Sequence, residues 1–154
     1  MNMPIPEFMR KTDVFALQRF VQAQAPVYAA VLDELRRGNK ATHWMWFVFP
    51  QHRDLGHSTL ARHFGLHSLK EARAYLDHPV LGPRLEECTR LMLTHADKSA
   101  LDILHHPDNL RFRSCMSLFA LAAPGCPLFQ RALEHFFDGA PDPMTVQLIR
   151  RNFE

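Results

Sequence analysis

The sequence predicts an all-α chain: a compact, multihelical single domain of short to medium helices with no sheet. Three observations lead there. Apolar residues recur at three- and four-residue steps, Ser and Asp caps and Gly or Pro stops punctuate those runs, and no stretch alternates with a strand's period of two. A chain of 154 residues is most economically one domain, burying roughly two thirds of its unfolded surface. The domain is expected over residues 12–154, after a loose arm at 1–11 that carries two prolines and no periodicity.

Thr12-Asp13 offers an N-cap for a first helix in which Val14, Leu17, Phe20 and Val21 share a face. After Pro26, Tyr28, Val31, Leu32 and Leu35 continue at helical spacing to Gly38, a natural stop, with Arg36 and Arg37 favouring the carbonyl end. The run from His43 to Gln51 holds both tryptophans. With helices on either side and no partner strand, it reads as a short helix ending at Pro50. Gln51 to Ser58 is the most polar loop, and Ser58 caps a short helix to Phe64, closed by Gly65.

Ser68-Leu69-Lys70-Glu71 is a capping box, the serine accepting the third helical amide and the glutamate reaching back. Its helix runs to about Asp77 with Ala72, Tyr75 and Leu76 inward. His78-Pro79 and Gly82-Pro83 flank the way into a longer helix, striped by Leu81, Leu85, Cys88, Met92 and His95. Ser99 caps a short helix to His105. Asp108 caps the next, whose inward face is Phe112, Cys115, Met116, Phe119 and Ala123, stopped by Pro124-Gly125. Pro127 opens a helix with Leu128, Leu133, Phe136 and Phe137, ending near Gly139. Asp142-Pro143 starts the last, which buries Val146, Leu148, Ile149 and Phe153.

The apolar fraction of 47% and charged fraction of 22% are those of an ordinary soluble globular protein. A net charge of +2 gives little long-range pull on polyanions, and Arg36-Arg37, Arg111-x-Arg113 and Arg150-Arg151 are scattered, so nucleic acid is not the expected partner. Cys88, Cys115 and Cys126 show no paired metal or redox spacing, which fits free thiols in a reducing cytoplasm. No signal peptide and no membrane span is expected.

Several stretches together resemble one bacterial family, domain of unknown function 1810. They are Leu17-Gln18-Arg19-Phe20 with Ala23-Gln24; His43-Trp44-Met45-Trp46-Phe47 with Phe49-Pro50-Gln51; and Leu55-Gly56-x-Ser58. Glu71-Ala72-Arg73-Ala74-Tyr75-Leu76 and His78-Pro79-x-Leu81-Gly82-x-Arg84-Leu85 follow. Asp108, Arg111-Phe112-x-Ser114-x-Met116-Ser117-Leu118-Phe119, Gly139, Asp142 and Thr145 complete the set. The resemblance implies a compact multihelical domain and no established activity. Arg111 and Ser117 depart from the lysine and threonine expected there, changes that keep the charge and the hydroxyl. Some relatives carry the label calpastatin, a disordered inhibitor that this capped, striped sequence does not match.

Ten histidines raise the question of a metal. His63 and His67 are four apart with His52 and His57 nearby, but Gly65 ends the helix between the pair and no acidic ligand has a recognised spacing, so no metal and no cofactor is expected. Trp44, Trp46, Phe47 and Phe49 suit either the core or a pocket floor. His43 and Gln51 at the ends of that run keep the pocket open, because a flat indole beside an amide and an imidazole suits a base or sugar ring. Arg19, Arg84 and Arg111 sit beside apolar stripes, where a guanidinium pairs with a buried carboxylate or awaits an anion.

Two functions fit. One is binding of a small anionic or nucleotide-like ligand by His43, Trp44, Trp46, Gln51, Ser58, Arg84 and Arg111. Glu71 or Asp108 would be the general base if a cofactor-free hydrolysis of a glycosidic or phosphate-containing substrate occurs. The other is a non-catalytic protein-interaction module. A pocket predicts a partly exposed tryptophan with Arg84 and Arg111 converging on one cavity. A module predicts buried tryptophans, satisfied arginines and an exposed apolar patch.

Overall fold

The computed structural model describes residues 13–151; the expected arm at 1–11, the Thr12 cap and Phe153 lie outside them. The described residues form ten α-helices. They are α1 (Gln18–Gln24), α2 (Tyr28–Arg37), α3 (Met45–Val48), α4 (Thr59–His63), α5 (Leu69–Asp77), α6 (Leu81–Leu93), α7 (Ala100–Leu104), α8 (Asp108–Ala122), α9 (Pro127–Phe137) and α10 (Pro143–Arg151), with a 3-10 turn at Arg53–Leu55. The one extended pairing among them is a parallel bridge between His52 and Leu66. No helix among the described residues is long and apolar enough to cross a membrane.

Helix α8 is the axis of the fold, packed against α5, α7, α9 and α10. Eight of its fifteen residues are buried, among them Phe112, Cys115, Met116, Leu118 and Phe119, so it has no solvent face of the usual width. Ser114 and Ser117 are carried inside because each hydroxyl donates to a carbonyl one turn back, of Leu110 and Arg113. Ser117 also accepts the Asp142 amide at 2.8 Å, which docks the start of α10. The α6 stripe is realised, with Leu81, Leu85, Cys88 and Met92 buried and the His95 Nε2 2.6 Å from the Leu35 carbonyl of α2. A β-carbon on Gly82 would lie 2.0 Å from the Leu76 carbonyl oxygen, so α5 and α6 meet at a distance only glycine allows.

Three local expectations are corrected. Val14 does not share the first helix: Ala16 has φ 54°, the 13–17 segment is a turn closed by Asp13 Oδ1 on the Leu17 amide, and Val14 stays 76% exposed. At α5 Ser68 caps the Glu71 amide at 3.1 Å, but the Glu71 carboxylate passes its expected partner and takes the His67 amide at 2.7 Å. The reciprocal box forms instead at Ser99 and Asp102 of α7. Asp108 does not cap α8, because its carboxylate is drawn to Lys40 and Arg111.

Candidate functional site

The aromatic run divides between core and surface. Trp44 is wholly buried, its indole donating to Glu34 Oε1 at 3.0 Å, so it is core and no pocket floor. Glu34 is a hub that takes amides, a hydroxyl and an indole where a buried carboxylate was expected to take an arginine. It also accepts the Ala41 and Thr42 amides and the Thr42 hydroxyl at 2.6–2.9 Å. Burial alone would raise its pKa, but those donors outweigh it and hold the carboxyl down at about 2. The signal was present: Glu34 falls three residues after Val31 on the inward face of α2.

Trp46 is half-buried, and its indole N–H has no partner among the described residues. The Arg111 guanidinium stands 5.8 Å from its ring centre. Asp108 joins Arg111 at 2.7 Å and Lys40 at 2.9 Å, while Lys40 also lies 5.0 Å from the Trp44 ring. Trp44, Trp46, Asp108 and Arg111 therefore come together, around Lys40, as a tie between the aromatic run and the start of α8. Arg84 is elsewhere, donating to the Gln24 side chain at 3.3 Å and lying 4.6 Å over the Tyr28 ring. Ser58 is a helix cap, accepting the Ala61 amide. His43 is exposed, and the Gln51 carbonyl accepts the Leu66 amide. The described contacts do not bring Arg84 and Arg111 to one cavity.

A cleft of about 600 Å³ lies on another side, and of the predicted site residues only Glu71 lines it. Its construction is local. The Arg53 amide donates to the Leu66 carbonyl at 2.8 Å and the Leu66 amide to Gln51 at 3.0 Å, laying residues 51–53 beside 64–67. A β-carbon on Gly65 would fall 2.4 Å from the Arg53 Cα, so the two strands of backbone close only over glycine. Helix α4 bridges them and adds Arg62 and His63 to a wall that already holds Arg53 and His67.

The floor is an Arg19–Glu71 pair at 3.3 Å. Arg19 spends its whole fork on this frame, donating to the carbonyls of Phe15, Ala16, His63 and Gly65 as well as to Glu71. It straps the 13–17 turn to the 63–65 loop and neutralises the one acid that lines the cleft among the described residues. Arg53, Arg62, His63 and His67 have no side-chain hydrogen bond or ion pair among the described residues. Beneath them His52 is 2% exposed; its Nδ1 accepts the Asp54 amide at 3.1 Å, which puts the ring proton on Nε2. Burial pushes the His52 pKa down, so the ring is held neutral. Among the described residues no three His, Cys, Asp or Glu side chains gather in a way that could hold a metal ion.

A sequence profile described as protein of unknown function (DUF1810) matches residues 14–149. The chain belongs to the DUF1810 family. The solved structure of a conserved hypothetical protein, Rv1873 from Mycobacterium tuberculosis, is similar at 50% identity and a TM-score of 0.87, over 88% of this chain and 97% of that one. No curated protein matches. The stretches that carry the DUF1810 resemblance hold many of the polar ties of the fold: Arg19, Gln24, Trp44, Glu71, Asp108 and Asp142 each anchor one. Arg53, Arg62, His63 and His67 fall between those stretches.

Proposed function

We propose that this DUF1810 protein binds a small anionic ligand in the cleft between the 13–17 turn and the 53–67 segment. The observation that carries the reading is the charge of the wall. Arg53 and Arg62 face the cleft with two imidazoles beside them, and Glu71, its one acid among the described residues, is already paired with Arg19. Guanidinium groups gathered without a counter-ion among the described residues favour an anion from solution. The reading stops at binding. Glu71 is occupied by Arg19 and the His67 amide, and Asp108 by Lys40 and Arg111, so neither carboxylate stands ready to take a proton. The exposed apolar residues Val14, Leu60, Leu101, Leu110, Leu121 and Met144 give an interaction module little to stand on, since no single helix carries more than two of them.

A thermal-shift screen with citrate, sugar phosphates and mononucleotides tests this. A ligand at a hundred times its Kd stabilises the fold by about 2.7 kcal/mol, a rise of roughly 5–10 °C for a chain of this size. The rise should vanish when Arg53 and Arg62 are both replaced by Gln. An anion that stabilises the double variant as much as the parent would overturn the placement.

A further inference from the structure

We infer that the cleft is shaped for a small phosphate monoester, taken up free of any divalent cation, with the non-polar part of the ligand against Phe15 and Val14. The inference rests on the anion-binding reading and narrows it.

The donors arrive from three segments: Arg53 from the 3-10 turn, Arg62 and His63 from the end of α4, and His67 from the loop after the bridge. One guanidinium satisfies both oxygens of a planar carboxylate through a two-point contact. A tetrahedral phosphate presents three terminal oxygens and about two charges, and uses donors from several directions. Two arginines on separate elements, with the imidazoles of His63 and His67 following Arg62 in the chain, match the second demand and exceed the first.

A cation-bound phosphate fits badly. Mg²⁺ is held through carboxylate oxygens together with the phosphate, and the single carboxylate that lines the cleft among the described residues has Oε1 on Arg19 and Oε2 on the His67 amide. A metal brought in with the ligand would face arginines and find no oxygen of its own. The third feature is apolar: Phe15 and the exposed Val14 also line the cleft, carried on the turn that Arg19 straps in place. A volume of about 600 Å³ accommodates a phosphate with one or two rings.

Calorimetric titration of the full chain at fixed ionic strength tests each part. The probes are phenyl phosphate, glycerol phosphate, phenyl sulfate and benzoate, with and without Mg²⁺. Phenyl phosphate should bind about tenfold tighter than phenyl sulfate or benzoate, consistent with two charge-assisted contacts in place of one. It should bind severalfold tighter than glycerol phosphate, and Phe15→Ala should erase that second preference only. Arg53→Gln and, as an exposed and structurally safer change, Arg62→Gln should each weaken phenyl phosphate about tenfold. Excess Mg²⁺ should weaken it further.

Equal affinity for phenyl phosphate, phenyl sulfate and benzoate overturns the phosphate assignment and leaves an anion site. Tighter binding with Mg²⁺ overturns the metal-free uptake. A phosphotyrosine peptide binding far tighter than phenyl phosphate moves the ligand from small molecules to phosphoproteins, against the inference. No binding by any probe, or arginine variants that bind as well as the parent, defeats the anion-binding reading itself.

Discussion

Replacing Glu34 by Gln keeps the size of the side chain and removes its charge, so it isolates what the buried carboxylate does. Glu34 is 3% exposed and accepts four hydrogen bonds, from the Ala41 and Thr42 amides, the Thr42 hydroxyl and the Trp44 indole. Its pKa is held at about 2. At about 1.4 kcal/mol for each tenfold in a protonation equilibrium, the carboxylate contributes about 3 kcal/mol at neutral pH. Glu34→Gln should therefore lower the Tm by about 6–12 °C at pH 7.

The sign with pH follows from the direction of the shift. A depressed folded-state pKa means the contribution is complete above the unfolded carboxylate value of ~4.3 and is lost as pH falls toward 2. By pH 3 less than half of the gap between parent and variant should remain. Denaturant melts of both proteins at pH 7, 4 and 3, followed by tryptophan fluorescence, measure it. A gap that stays constant from pH 7 to pH 3, or a variant as stable as the parent at pH 7, refutes the reasoning.

Other expectations follow from the same contacts. Arg19→Ala leaves Glu71 buried without its guanidinium and takes the side-chain donor from four carbonyls, and should cost about 3 kcal/mol in chemical denaturation, with Arg19→Lys recovering less than half. Gly65→Ala drives a methyl group into the Arg53 backbone; it should destabilise by about 2–3 kcal/mol and abolish anion binding in the same protein. Of the thiols, Cys88 and Cys115 are buried, and burial pushes the Cys88 pKa up to about 12 and that of Cys115 well above its ordinary value. Only half-buried Cys126 should react promptly with a disulfide reagent in the native protein, and all three after unfolding; equal native rates would contradict the packing of α6 and α8.

The helices were legible because their signals are local. Ser58, Ser68, Ser99 and Asp142 act as caps within three residues of themselves, and Gly38, at φ 70°, ends α2 where its lack of a β-carbon allows it. Where those signals misled, a distant partner had won. Asp108 left its cap for Lys40, and the expected start of the first helix gave way to a turn whose Phe15 and Ala16 carbonyls Arg19 holds.

The candidate site was harder to read. Trp44 suits a pocket floor until an acid ten residues earlier takes its indole, and nothing in the spacing of Arg19 and His63 shows that 44 residues close into one contact. One clue did stand in the sequence. From His52 to His67, both included, there are six Arg or His residues and one acid, Asp54. Weighing those histidines as metal ligands obscured their role as neighbours of Arg53 and Arg62.

The most direct test of where a ligand binds is a phosphate titration followed through backbone amide resonances. Shifts confined to residues 15–19, 52–54, 62–67 and 71 are the predicted result. Shifts centred on Trp46, Asp108 and Arg111, with the cleft silent, would contradict the account and return the site to the aromatic run.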